Sequence, residues 1–286
     1  MFAISQKIQY YDSINTEKLR GATELAHKIM VGVQKGGTGK TVTTVVLAEI
    51  LAAAGYKTLI LDLDSQGNAT QMATQKSIYS FSENTILEAI REKDPEKYVV
   101  HAKEGIDLIP ADDMLVTFSR YIYKDRVMNP VRELENTIKL IEHRYDFILM
   151  DCPPALSDIT LNALVYCDYI IVPIQMDAFG KDALDRFIDF VNGAKKENHT
   201  HADILGILVA LKDNRSNIEK AVCGNIRSKY KDLVFNTEIK RRAKLKEYTL
   251  TGARMKKKEE VDALEDYINL AEEVLGRIKT KKAAAK

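Results

Sequence analysis

The chain has 286 residues, 45% of them apolar, and a formal net charge of +1. That length and apolar share suit one large α/β domain or two small ones, and the near-neutral charge excludes a polycation that grips nucleic acid with its whole surface. Three cysteines, Cys152, Cys167 and Cys223, form no C-x-x-C pair, so they read as reduced, buried thiols rather than a disulfide framework or a zinc site. No apolar run approaches the roughly 18–20 residues that span a bilayer. The first residues show no charged-then-apolar export signal, and cytoplasmic residence is the expectation.

Residues 1–27 precede the first strand, and Leu19, Ala22, Leu25 and Ala26 give them helical spacing. Residues 28–286 read as a single domain. Strands are expected at 28–33, 58–63, 106–109, 147–150, 169–173 and 204–209, with helical stretches between most of them. Short β-rich runs alternating with helices imply right-handed crossovers and a doubly wound, mostly parallel α/β sheet. Leu59-Ile60-Leu61 and Ile170-Ile171-Val172 are apolar without alternation, as strands covered on both faces are. Residues 256–286 predict a charged amphipathic helix. Its stripe is Val261, Leu264, Ile268, Ala271, Leu275 and Ile278, at the spacing of one helix face.

The first strand leads into Gln34-Lys35-Gly36-Gly37-Thr38-Gly39-Lys40-Thr41, and a helix-like run from Val42 to Ala54 follows. Strand, glycine-rich loop and helix make a phosphate cradle, in which backbone N–H groups converge and the helix adds the positive end of its dipole. Lys40 is placed to reach the β- and γ-phosphates, and the Thr41 hydroxyl to ligate Mg²⁺. The common form of this loop has Gly where Gln34 stands, and this chain adds a second lysine, Lys35.

Two further strands end in acids. Leu59-Ile60-Leu61-Asp62-Leu63-Asp64 runs on into Ser65-Gln66-Gly67-Asn68-Ala69-Thr70. In open parallel sheets, ligands sit beyond the carboxyl ends of the strands, where these acids emerge. Phe147-Ile148-Leu149-Met150-Asp151 delivers a third carboxylate toward the Mg²⁺ region, and Pro153-Pro154 forces the chain to turn. Asn162-Ala163-Leu164 precedes a strand that contains Pro173 and ends near Gln175. Between Ile239 and Lys258 stand nine basic residues, among them Arg241, Arg242 and Lys244, against the single acid Glu247. Such a cluster releases counterions on meeting a phosphate backbone, which gives non-specific, salt-sensitive binding.

These motifs together resemble the ParA/MinD superfamily of deviant-Walker ATPases, over roughly residues 28–255. The loop is similar to its K-G-G-x-G-K-T, residues 62–70 to its D-x-D-x-Q-G-N-A-T with Ser65 in place of Pro, and residues 151–154 to its D-x-P-P. Asp213-Asn214-Arg215-Ser216-Asn217 resembles D-x-R-T-N. Residues 234–247 resemble V-F-x-T-x-I-P-R-N-x-R-L-x-E, with Lys240 in place of Pro.

The resemblance implies that ATP and Mg²⁺ bind at Lys35, Gly36, Gly37, Thr38, Gly39, Lys40, Thr41 and Val42, with Pro173 and Gln175 near the nucleotide or the dimer interface. It implies catalytic roles for Lys35, Lys40 and Asp64, and a metal shell of Thr41, Asp62 and Asp151. Lys35 reaches the partner's nucleotide in a homodimer of the ParA branch, and Arg215, Arg241, Arg242 and Lys244 meet double-stranded DNA without reading sequence. A ParB-like centromere-binding protein is the implied partner, plasmid or chromosome partition the implied role, and the nucleoid the implied location. A MinD-like positioning ATPase at a membrane or pole is the alternative. Glu259, Glu260, Asp262, Glu265, Asp266, Glu272 and Glu273 oppose it, because acids on the polar face of the terminal helix repel anionic lipid; no membrane contact is expected.

Overall fold

A computed structural model of the chain describes residues 26–124, 128–177, 179–212, 217–252 and 258–285. The helical extension expected at residues 1–27 lies outside them except for its last two residues, and His27 already opens a strand. Among the described residues, eight strands form one sheet: β1 (His27–Val31), β2 (Thr58–Asp62), β3 (Val100–Lys103), β4 (Ile106–Ile109), β5 (Phe147–Asp151), β6 (Tyr169–Ile174), β7 (Asp203–Lys212) and β8 (Val234–Lys240). Their order is β3-β4-β2-β5-β1-β6-β7-β8. Of these pairs, β3–β4 alone is antiparallel.

The helices are α1 (Lys40–Ala53), α2 (Asn68–Thr74), α3 (Ile86–Glu92), α4 (Phe118–Lys124), α5 (Glu133–Ile138), α6 (Asp158–Tyr166), α7 (Gly180–Lys196), α8 (Asn217–Tyr230), α9 (Ala243–Thr251) and α10 (Lys258–Ala285). α1, α2, α9 and α10 pack on one face of the sheet, and α3 to α8 contribute to the core on the other. β5 shows why the central strands read as unbroken apolar runs. Phe147 and Leu149 enter one core, and Ile148 and Met150 the other.

Two strands were not legible as such. β3 is short and half-exposed, so it lacks an apolar run. β8 sits at the opposite edge, and its buried Val234, Phe235 and Ile239 are interspersed with polar residues. α10 closes that edge. Glu273 accepts from Asn236 N and Thr237 N, both at 2.9 Å, and Asp266 accepts from Lys240 N at 3.1 Å. These carboxylates satisfy edge N–H groups that would otherwise invite another strand. The predicted stripe of α10 is buried against the fold along its whole length. Arg277 adds bonds to the carbonyls of Leu205 and Val234 and lies 4.3 Å from the Phe235 ring centroid. The surface that a membrane-seeking helix needs is therefore spent inside the domain. No helix among the described residues is long and apolar enough to cross a membrane.

Candidate active site

The parallel register brings the separate motifs to one place. Val31 of β1 is level with Asp151 of β5, and Asp151 is level with Asp62 of β2. The phosphate loop leaves β1, and Asp64 follows β2 by two residues. Loop and acids thus share the carboxyl edge of three adjacent strands, with the chain diverging on either side of β1.

The loop has the shape of an anion cradle. Gly37 and Gly39 stand at φ 73° and 84°, left-handed conformations that favour glycine. A Cβ at Gly36, Gly37 or Gly39 would meet nothing within 4 Å, so open space lies over the loop. Thr38 Oγ1 is buried with no hydrogen-bond partner. Lys40 is buried and donates from Nζ to the Lys35 carbonyl at 2.9 Å. Burial pulls its pKa down, while Asp151 and Asp64 oppose that pull.

Three contacts, two from the connection between β6 and α7 and one from α7, hold the loop from the side. Gln175 Nε2 donates to the Gly37 carbonyl at 2.7 Å, Arg186 Nε to Gln34 Oε1 at 3.0 Å, and Lys35 Nζ to Asp177 at 2.6 Å from Oδ1. Asp177 is itself fixed by the amides of Phe179 and Gly180. Of the two residues expected beside the nucleotide, Gln175 is at the loop. Pro173 is buried within β6, past the last rung that β6 shares with β1, where a missing N–H costs no ladder bond.

The acids differ from one another. Asp62 Oδ2 accepts from Thr70 N and Thr70 Oγ1, both at 2.7 Å, and Oδ1 accepts from Asp64 N at 3.2 Å. Its oxygens are engaged by its own chain, and it shapes the loop that carries Asp64. Both oxygens of Asp151 are buried without a hydrogen-bond partner. The Thr41 hydroxyl lies near enough to favour the charged form of Asp151 but outside hydrogen-bonding geometry. Burial, then the charge of Asp62, pushes the Asp151 carboxyl well above the usual carboxylate range. Burial likewise lifts Asp62 to about 6. An orphaned carboxylate beside a threonine hydroxyl and an open phosphate cradle fits a hydrated Mg²⁺ ion. Thr41 and Asp151 are the residues that would hold such an ion most directly, with Asp62 behind them.

A cavity of about 780 Å³ opens over the loop, a size that suits a nucleotide. Gly36 to Val42 and Asp64 line one part of it. Leu211, Arg241, Arg242, Leu245 and Tyr267 line another; Leu245 falls within the motif at residues 234–247, but neither Leu211 nor Tyr267 was marked by a sequence motif. Arg242 donates to the Asp262 carbonyl at 3.0 Å and to Asp266 at 3.4 Å, so it ties the cavity wall to α10. Arg241 is exposed, and Lys244 pairs with Glu247 at 2.9 Å. Arg215 lies outside the described residues. Leu211 has φ 56°, which costs a leucine roughly 1–2 kcal/mol.

Fold and site together define a P-loop ATPase whose loop carries a second lysine. A family model described as an AAA domain matches residues 26–204. The chain is 31% identical over 231 residues to the chromosome partitioning protein ParA of Myxococcus xanthus, covering 80% of each chain. It is 30% identical over 255 residues to the chromosome-partitioning ATPase Soj of Thermus thermophilus, covering 88% of this chain and 96% of that one. In fold it resembles the ATP complex of a McdA variant from Cyanothece, with a TM-score of 0.79 at 22% identity over 89% and 98% of the two chains. A putative plasmid partition protein of Borrelia burgdorferi bound to AMPPNP gives 0.73 at 24% identity over 90% and 99%. The chain belongs to the ParA/MinD superfamily, within its ParA-type partition ATPases.

Proposed function

We infer that this ATPase dimerises around ATP, binds double-stranded DNA without sequence preference, and moves a plasmid or chromosomal locus with a ParB-like centromere-binding partner. The observation that carries this reading is Lys35. Its ammonium is not buried in its own cradle but rests on Asp177 at the side of the loop. The Lys35 side chain is 19% exposed and that of Asp177 44%. The Asp177 end of this part-buried pair faces solvent, so a partner's terminal phosphates can replace Asp177 as the lysine's counter-charge.

Within one chain, the loop amides and Lys40 bind the phosphates, and Gln175 and Arg186 keep the loop in position. Mg²⁺ supplies charge neutralisation at the terminal phosphates. Asp64, at the cavity wall, orients the attacking water and accepts its proton. Lys40 and the partner's copy of Lys35 offset charge developing on the leaving phosphate.

Pairing two chains doubles the basic surface. Two weak phosphate-binding patches become one bivalent patch, and avidity raises DNA affinity with no new contact type. Arg241 is exposed for this role, and Lys244 is restrained by its surface pair with Glu247 and by the Tyr248 ring, whose centroid lies 5.9 Å away. Arg242 contributes less, because its guanidinium is already tied to α10. The basic residues Arg215, Arg254, Lys256 and Lys257 extend the patch in sequence. Nucleoid association follows from DNA affinity of this kind.

The test is DNA binding with ATP, with ADP and with no nucleotide, across a salt series and on unrelated sequences. Tight binding with ATP alone, steep in salt and equal across sequences, is expected. Binding indifferent to nucleotide, or confined to one sequence, would overturn the reading.

A further inference from the structure

We propose that the groove at the amino ends of β7 and β8 is a docking site for an acidic segment of a partner protein, one that carries leucine-sized apolar side chains among its carboxylates. The groove arises from the sheet itself. The first rung shared by β7 and β8 joins Ile207 to Val234, so the residues of β7 before Ile207 have no β8 residue beside them. α8 and α10 flank this uncovered edge and leave a cavity of about 610 Å³, a size typical of binding sites. Leu205, in its wall, stands six residues before Leu211 of the nucleotide cavity, roughly 20 Å along the strand. The groove therefore opens at the end of the sheet away from the phosphate loop.

Ile204, Leu205, Leu233 and Val234 give the groove an apolar wall, with Leu205 and Val234 buried and the other two half-buried. Four cations, Arg227, Lys231, Arg277 and Lys281, line it with two carboxylates, Asp232 and Glu273. Glu273 is committed to the amides of Asn236 and Thr237 and to Arg277, and Arg227 pairs with Glu238. Lys281 shares Asp203 with Lys195, at 2.9 and 3.3 Å, so two ammonium groups meet one carboxylate. The Lys231 side chain is exposed and has no partner among the described residues. Asp232 offsets part of this charge, and the remainder is positive, which calls for carboxylates on the partner. A purely apolar segment would cover Lys231 with no counter-charge, and a purely acidic one would leave the apolar wall in water.

Two residues of the groove sit against their own conformational preference. Gly276 lies in the interior of α10, where glycine is destabilising relative to alanine, and a Cβ there would meet nothing within 4 Å. Lys231 follows α8 at φ 46°, a left-handed position that glycine usually fills at a helix end. The glycine keeps the groove deep, and the lysine adds a cation to its lining. Costs of this kind gathered around one cavity are the pattern of a functional site.

The test is fluorescence anisotropy of three labelled peptides on the full chain: glutamates with two leucines among them, the same peptide with glutamine for each glutamate, and the same with serine for each leucine. The variants are Gly276→Leu, which plugs the groove, and Lys231→Gly, which removes an ammonium. Both relieve a backbone cost, so both should melt at or above the wild-type temperature and bind ATP as the wild type does. The wild type should bind the glutamate–leucine peptide about tenfold more tightly than either counterpart. Gly276→Leu should weaken that binding about tenfold and Lys231→Gly about threefold. Equal binding of the three peptides, wild-type affinity in Gly276→Leu, or no binding of any peptide would overturn the proposal. Displacement of the peptide by inorganic phosphate at matched ionic strength would assign the groove to a small anion and overturn it as well.

Discussion

Replacing Asp62 with asparagine should change how the stability of the metal-free protein responds to pH. Asp62 is fully buried, and burial lifts its carboxyl from the ordinary 3.8 to about 6. The folded chain therefore holds this proton more tightly than the unfolded chain does. Below 3.8 the group costs the fold nothing. As pH rises from there to about 6, ionisation of the unfolded chain draws stability away, and above that the loss is constant. A rise of about two pKa units puts the full loss on the order of 3 kcal/mol, of which about half is already present at pH 5.

Asparagine cannot titrate, so the wild type should lose on the order of 1 kcal/mol relative to Asp62→Asn between pH 5 and pH 7. Asp151, level with it on the adjacent strand, carries part of its own upward shift from the charge of Asp62, so its relief in the variant acts in the same direction. The introduced amide converts one acceptor into a donor beside Thr70 and Asp64, at about 1 kcal/mol, but that offset does not vary with pH. Urea denaturation followed by circular dichroism at pH 5, 6 and 7, with a chelator present, measures the difference. A wild-type-to-variant gap that stays flat across this range, or that moves in favour of the wild type as pH rises, would refute the assignment of a destabilising buried carboxylate pair.

Lys40→Ala removes the ammonium at the base of the cradle and should weaken ATP by about 10- to 100-fold in calorimetric titration. Asp64→Ala should bind ATP as the wild type does and lose about 10²- to 10⁴-fold in single-turnover hydrolysis; hydrolysis at the wild-type rate would remove Asp64 from its role. Arg241→Ala should weaken DNA binding equally across sequences and lower the slope of log affinity against log salt by about 1, with ATP affinity measured alongside because Arg241 also lines the cavity. Glu273→Gln breaks the clamp on β8 and leaves Arg277 short of its counter-charge. Urea unfolding should show a loss of about 1–3 kcal/mol.

Much of the molecule is written locally. A loop with glycines at the two positive-φ positions, the lysine buried beneath it and the helix that follows can adopt this shape through short-range geometry, so residues 34–41 announce a phosphate site before any tertiary contact exists. Strands covered on both faces need side chains that are apolar throughout, so β1, β2, β5 and β6 declare themselves, and an acid at the end of such a run marks the carboxyl edge of the sheet. β3 and β8 stayed hidden because an edge strand buries only part of its surface and its alternation is diluted by polar residues.

What tertiary structure alone decided was adjacency. That Asp151 stands between Asp62 and the loop depends on β5 inserting between β2 and β1, which no short window of residues encodes. The separate fates of similar residues came the same way. Asp62 is satisfied by Thr70 while Asp151 is left without a partner, and Arg242 is bound to α10 while Arg241 is exposed. A side chain's chemistry belongs to its residue type, but its partners belong to the packing, and here they come from segments up to 224 residues away, as Thr43 and Tyr267 do.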